Sequence, residues 1–484
     1  MSDTLTALDA TFLELEQQDE GALMSIGGVS VFDPLPGGGA PSIEEVCANL
    51  GARLDQLPRY SQRLSSVRTG GLSWPRWTDD DRFCIRDHIT HVALPAPGGQ
   101  TELCEWAADF YSHRLDRTRP LWEMALIEGL AQDRWAIAHK THHCLVDGVG
   151  SVDVAYLLLD TEPNPPERPS APRPPAGNDW VGRSFLPSPP QPIANAAQAG
   201  ARVARAGMHA ALHPRKGLER SAALAELIVR DEVIGAPHTS LNVPIGSTRR
   251  FAVVSRPLED LKAIRRALGG SINDVVLAVC TTGLRRLLLS RGEQLPRRGL
   301  RAMVPMNVRQ SSERLMLGNR VSSLFVELPV AVEDARERHR RIVAATERLK
   351  SSSAATGAET VIDLAGLAPP VLHAALARSL YATRLFNVTI TNVPGPRIPL
   401  YAFGALLREV HPVVPLAAEH SVGIAIFSYN GLVTFGVIAD SESTPDIAVV
   451  EDGIDEGIDE LLALVKRARR RARRTADQPA KQST

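Results

Sequence analysis

The chain has 484 residues, with 54 Lys and Arg against 55 Asp and Glu, a formal net charge of -1. At roughly 100 to 200 residues per domain, this length allows two or three domains and a substantial core. A hydrophobic content of 44% with 23% charged residues excludes a disordered or collagen-like chain, and the lack of a basic excess argues against a nucleic-acid binder.

The opening residues, MSDTLTALDATFLELE, carry acids where a secretory signal needs a basic region and an apolar stretch, so the protein is expected in the cytoplasm. From Met1 to about Asp160 helical and strand-like patterns mix. They end in a strand candidate, RWAIAHKTHH at 134–143, and a helix candidate, VGSVDVAYLLLD at 149–160. Eleven prolines then fall between Pro163 and Pro192; that density interrupts helices and sheets and reads as a linker between two separately packed halves. Two Ala-rich stretches, 193–213 and 221–235, have helical spacing.

Beyond Ser240 strands and helices alternate again. Residues 251–257 read as a strand, 258–269 as a helix stopped by Gly269, and 271–292 as a helix capped by Ser271. Further strands are expected in RAMVPMNVR, RVSSLFVELPV, FNVTITNV, VGIAIFSYNG and LVTFGVIAD. The mixed order implies an α/β or α+β architecture with substantial sheets. The longest apolar runs, 275–280 and 421–427, fall far short of the roughly 20 residues of a membrane helix, so any membrane contact is expected to be peripheral.

The segment Thr141-His142-His143-Cys144-Leu145-Val146-Asp147-Gly148-Val149-Gly150 stands where a strand pattern gives way to a helix pattern, and sheet ends are where side chains project into clefts. Gly148 and Gly150 permit a tight turn. Neighbouring strand residues point to opposite sides, so one histidine acts and the other supports. The expected assignment is His143 as general base and Asp147 as a loop-stabilising carboxylate paired with an arginine, for which Arg309 is a guess. A metal site is the competing reading. However, His142 and His143 are consecutive, and His139 and His143, four apart in a strand, lie roughly 13 Å from each other; no metal is expected. The five cysteines, Cys47, Cys84, Cys104, Cys144 and Cys280, include no C-x-x-C pair and form neither a disulfide framework nor a zinc ribbon. Cys144 as a nucleophile would need a base opposed to it in space, not one adjacent in a strand.

Other segments read more plainly. Pro120-Leu121-Trp122 reads as core packing near the site. Asn273 and Asp274 follow Ser271 at a helix start, where both residue types serve as caps, Asp274 more readily than Asn273. Asn392 precedes Pro394-Gly395-Pro396 in a rigid turn. Residues 458–474 run from acids through leucines to seven Lys or Arg between Lys466 and Arg474, which suits either a solvated helix or an anionic membrane surface.

Together these segments resemble the bacterial wax ester synthase/acyl-CoA:diacylglycerol acyltransferase family, within the chloramphenicol-acetyltransferase-like superfamily. HHCLVDG matches its HHxxxDG motif. LTALDATFLELE with MSIGGVSVF resembles its opening, RPLWE its PLW segment and SINDVVLA its ND-containing helix start. MVPMNVR resembles its proline-rich strand, LGNRVS its GN element and TNVPGP its NVPGP turn, all in the family's order. The resemblance implies two similar α/β domains with an active-site channel between them, each a mixed sheet flanked by helices. They would divide the chain into an N-terminal acyltransferase domain at 1–160, a linker with connecting helices at 161–235, a C-terminal domain at 236–464 and a basic tail at 465–484.

It further implies a fatty acyl-CoA donor as co-substrate without other cofactor, and diacylglycerol or a long-chain alcohol as acceptor. His143 would be the base. The oxyanion of the intermediate needs a donor aimed at it, for which Asn273, facing the histidine across the domain interface, is the candidate. The preferred product is triacylglycerol; wax ester synthesis, a silent lipid-binding relative and a carrier-protein-dependent condensation enzyme are the alternatives. For the extended basic tail both readings stand, a solvated helix end or a contact with the inner face of the membrane or lipid bodies.

Overall fold

The structure is a computed structural model and describes residues 5, 7–54, 56–65, 75–145, 159–165, 235–307, 321–351 and 385–476. Two six-stranded mixed sheets dominate it. The first contains β1 (Ser25–Phe32), β4 (Ile89–Ala93), β5 (Trp122–Leu130) and β6 (Arg134–His142); a separate ribbon pairs β2 (Gln62–Leu64) with β3 (Trp77–Asp79). Helices α1 (Ala7–Gln18), α2 (Ile43–Leu54) and α3 (Gln100–Phe110) belong to the same half of the chain, and α3 packs against the second sheet through the Gln100 amide, which donates to the Val253 carbonyl.

The second sheet takes β7 (Arg249–Pro257), β8 (Leu300–Asn307), β9 (Val321–Leu328), β10 (Val388–Pro394), β13 (Val422–Tyr429) and β14 (Leu432–Asp440), in the order β7-β14-β13-β10-β8-β9. With it go α4 (Leu258–Leu268), α5 (Ile272–Ser290), α6 (Ala335–Ser351) and α7 (Ala448–Ala476).

Local chemistry accounts for the element ends. Helix α4 buries Leu261 and Ile264 and stops at Gly269, whose φ of 84° is open to glycine at little cost. Helix α5 begins at a capping box in which the Ser271 side chain accepts from the Asp274 N–H and the Asp274 carboxylate accepts from Ser271. It is apolar nearly all round, as a buried helix must be. No single described helix is long and apolar enough to cross a membrane; α4 and α5 pass that test only as a pair bent by 102°.

One departure from the simple division into halves concerns β11 (Tyr401–Ala402) and β12 (Ala405–Val413), which follow β10 in the chain yet lie in the first sheet, ordered β11-β12-β1-β6-β5-β4. β12 runs antiparallel to β1, with Gly27 opposite Val413 and Ser30 opposite Val410, and so satisfies backbone groups on β1 that would otherwise form an open edge. Of the helix expected at 149–160 only Leu159 and Asp160 are described, and Asp160 lies in an extended bridge to Tyr401, its carboxylate paired with the buried Arg53 at 3.0 Å. The Ala-rich stretch 193–213 and nearly all of 221–235 lie outside the described residues.

The two sheets share a core. Val29, Ala125, Ala136 and Ala138 of the first pack in one cluster with Phe251, Val253 and Ile438 of the second. Gly436 on β14 passes so close to β12 that a Cβ there would sit 1.9 Å from the Pro412 carbonyl oxygen.

Candidate active site

β6 delivers the two histidines to one end of the first sheet, and its neighbours prepare the ground beneath them. In the Pro120-Leu121-Trp122 segment, Leu121 and Trp122 are fully buried. The Trp122 indole N–H donates to the Tyr60 carbonyl at 2.7 Å, and the His88 ring stacks on the indole at 4.5 Å. The Leu121 carbonyl accepts the His142 N–H at 3.0 Å, so this segment fixes the height at which β6 ends.

The two rings then part. His142 is completely buried. Its Nδ1 accepts the Cys144 N–H at 3.1 Å, which leaves the ring proton at Nε2, 3.5 Å from Glu16 Oε2. His143 is half-buried; its ring stacks on Phe12 with centroids 4.0 Å apart and 12° between planes, and its backbone N–H donates to the Met24 carbonyl at 2.8 Å. A side chain held on one face and partly open is the arrangement a proton-transferring imidazole needs.

Glu16, only 1% exposed, is the charge the sequence did not single out. Burial by itself raises its carboxyl, but the His142 ring and the Arg117 guanidinium outweigh burial and hold it down to about 2. Its Oε1 accepts the Met24 N–H at 3.2 Å and its Oε2 a bond from Arg117 at 2.8 Å, while Arg117 also reaches the Leu13 carbonyl. A signal existed: Glu16 stands four residues after Phe12 in a helix, so both face the same way.

Cys144 is buried and its thiol is pushed well above the ordinary range by burial, with Asp9 and Glu16 nearby adding to the rise; it stays a thiol. Burial likewise lowers His139 to about 4 and keeps it neutral. Among the described residues no group of three or more His, Cys, Asp or Glu is placed to hold a metal.

Asp147, Gly148 and Arg309 lie outside the described residues. From the second sheet, Asn273 at the start of α5 and Asn392 on β10 come together, the Asn392 side-chain amide donating to Asn273 Oδ1 at 3.4 Å. Asp274 turns away from them: its two oxygens serve the Ser271 cap and the Thr346 hydroxyl, 2.7 Å away on α6. It is therefore a helix cap that ties α5 to α6.

Residues 5–276 match the family model of the wax ester synthase/diacylglycerol acyltransferase catalytic domain, and residues 317–462 match that of the family's C-terminal domain. The chain is 33% identical over 462 residues to a Mycobacterium tuberculosis protein named "Probable diacyglycerol O-acyltransferase tgs1", covering 93% of this chain and 94% of that one. It is 31% identical over 453 residues to tgs2 of the same organism, covering 92% and 95%. A solved wax ester synthase/diacylglycerol acyltransferase from Marinobacter aquaeolei superposes with a TM-score of 0.65 at 30% identity, covering 96% of this chain and all of that one. The first condensation domain of the calcium-dependent antibiotic synthetase shares the fold, with a TM-score of 0.61 at 16% identity and coverage of 96% and 97%.

Proposed function

The chain belongs to the wax ester synthase/diacylglycerol acyltransferase family, and from that premise we propose that it transfers a long-chain acyl group from acyl-CoA to the free hydroxyl of diacylglycerol, making triacylglycerol, with His143 as general base. The observation that carries this reading is the half-buried His143 ring at the end of β6, braced on Phe12 and on the Met24 main chain.

The reaction follows from that placement. The His143 imidazole removes the acceptor hydroxyl proton as the oxygen attacks the thioester carbonyl, a task suited to a group whose ordinary pKa lies near neutrality. The tetrahedral intermediate carries an oxyanion. Asn392 donates to Asn273 Oδ1, which leaves the Asn273 amide nitrogen as the end available to donate to that oxygen. Collapse of the intermediate breaks the carbon–sulfur bond, and the His143 imidazolium returns its proton to the CoA thiolate. His142 takes no part in proton transfer, because its Nδ1 lone pair is occupied by the Cys144 N–H.

The substrates meet in a channel between the domains at 1–160 and 236–464, with β11 and β12 returning to the first, and 161–235 serves as the connector. The basic residues from Lys466 onward bring the protein, from the cytoplasm, to an anionic membrane or lipid-body surface. The test is acyl transfer from palmitoyl-CoA to dioleoylglycerol and, in parallel, to hexadecanol. Triacylglycerol as the main product supports the proposal. Hexadecyl palmitate alone makes the chain a wax ester synthase, and neither product favours a silent lipid binder or a carrier-protein-dependent enzyme.

A further inference from the structure

Helix α1 presents two side chains four residues apart, Phe12 and Glu16, and each meets a different member of the histidine pair: Phe12 lies flat on His143, and Glu16 faces Nε2 of His142. One helical turn separates them, about 6 Å, which suits two rings on adjacent residues of a strand end. Met24 closes the circuit through its main chain, its N–H bound by Glu16 and its carbonyl by the His143 N–H. Glu16 thus stands 3.5 Å from Nε2 of the buried His142 ring, a ring nitrogen with no other polar partner among the described residues, and one residue from the His143 backbone.

A buried carboxylate with two hydrogen-bonded partners, Met24 and Arg117, and a ring nitrogen 3.5 Å away is an expensive way to fill space, since an apolar side chain of similar size often packs at least as stably. What the charge adds is direction. An acceptor at Nε2 favours the tautomer with the proton there, and that tautomer is the one whose Nδ1 can receive the Cys144 N–H and hold the turn after His143.

We propose that α1 is the positioning element of the histidine loop, with Glu16 as a positioning residue that fixes the His142 tautomer and, through His142 and Met24, the placement of His143. The proposal rests on the reading of His143 as the base.

The experiment compares the full chain with its Glu16→Ala, Glu16→Gln and His143→Ala variants, by steady-state release of CoA from palmitoyl-CoA with dioleoylglycerol and by nitrogen-15 spectra of labelled histidine. A misplaced base costs about 100-fold. The expected result is a fall of about that size in kcat for Glu16→Ala with KM for acyl-CoA retained, and recovery of much of the loss in Glu16→Gln, which keeps an acceptor oxygen. The Nε2–H signature of His142 should be present in the parent and the Gln variant and lost in the Ala variant.

An unchanged kcat in folded Glu16→Ala overturns the proposal, as does a rise in KM with kcat intact or a Gln variant no better than Ala. If Glu16→Ala does not fold, Glu16→Gln decides: loss of the Nε2–H signature with kcat intact, or loss of kcat with the signature intact, overturns the proposal. A dead His143→Ala beside fully active Glu16 variants refutes the positioning role and leaves the base. An active His143→Ala refutes the base, and the His142 tautomer alone then decides whether α1 orders the loop.

Discussion

The buried Glu16 carboxylate makes the stability of the N-terminal half depend on acid in a way that can be isolated. Its carboxyl is held at about 2 against an ordinary 4.5. Folding therefore gains from its ionisation fully above pH 4.5, and the gain is lost as pH falls through the folded value near 2. At about 1.4 kcal/mol per pH unit the depression corresponds to about 3 kcal/mol.

In Glu16→Gln the ionisation is absent while every other carboxylate remains, so the pH dependence of the difference between parent and variant reports Glu16 together with the His142 and Arg117 groups coupled to it. Followed by thermal unfolding between pH 7 and pH 2, the parent should lose its advantage over the variant by up to about 3 kcal/mol, or about 6 to 12 °C for a domain of this size. Midpoints that run parallel across the range would refute the claim that Glu16 is a paired, ionised group in the folded chain.

Trp122→Ala should cost about 3 to 5 kcal/mol by cavity formation, and Trp122→Phe about 1 to 2 kcal/mol for the Tyr60 carbonyl left without its donor; chemical unfolding measures both. Gly436→Val should lower the thermal midpoint well beyond an ordinary surface change, because its Cβ would sit 1.9 Å from the Pro412 oxygen and drive β14 from β12. Cys144→Ala should retain acyl transfer within a few-fold, since a buried thiol held well above the ordinary range supplies no thiolate; a dead but folded variant would restore a role for the sulfur.

Much of the fold was legible because the signals were local. Alternation marked the strand that became β6, Gly269 marked the end of α4, and Ser271 with Asp274 spelled out a cap that the structure closes with Thr346. Long-range pairing was not legible. Nothing in ALLREVHPV says that β12 leaves its sequence neighbours to complete the first sheet beside β1, because strand pairing depends on which edge is free, not on the strand's own pattern.

The site divided along the same line. The histidine pair announced itself by type and spacing. Glu16 did not: a glutamate at the end of an amphipathic stretch usually faces water, and its burial depends on His142 and Arg117, which lie far along the chain. Asn273 and Asn392 were each ambiguous alone, and only the packing of α5 against β10 brings them within 3.4 Å.

If His143 moves the proton, ester formation depends on its imidazole. The measurement that tests it most directly is triacylglycerol formation from palmitoyl-CoA and dioleoylglycerol by the parent and by a His143→Ala variant shown to be folded. Loss of the base should lower kcat by about 10²- to 10⁴-fold, the range for removing a general base. Turnover by the variant within a few-fold of the parent would contradict it.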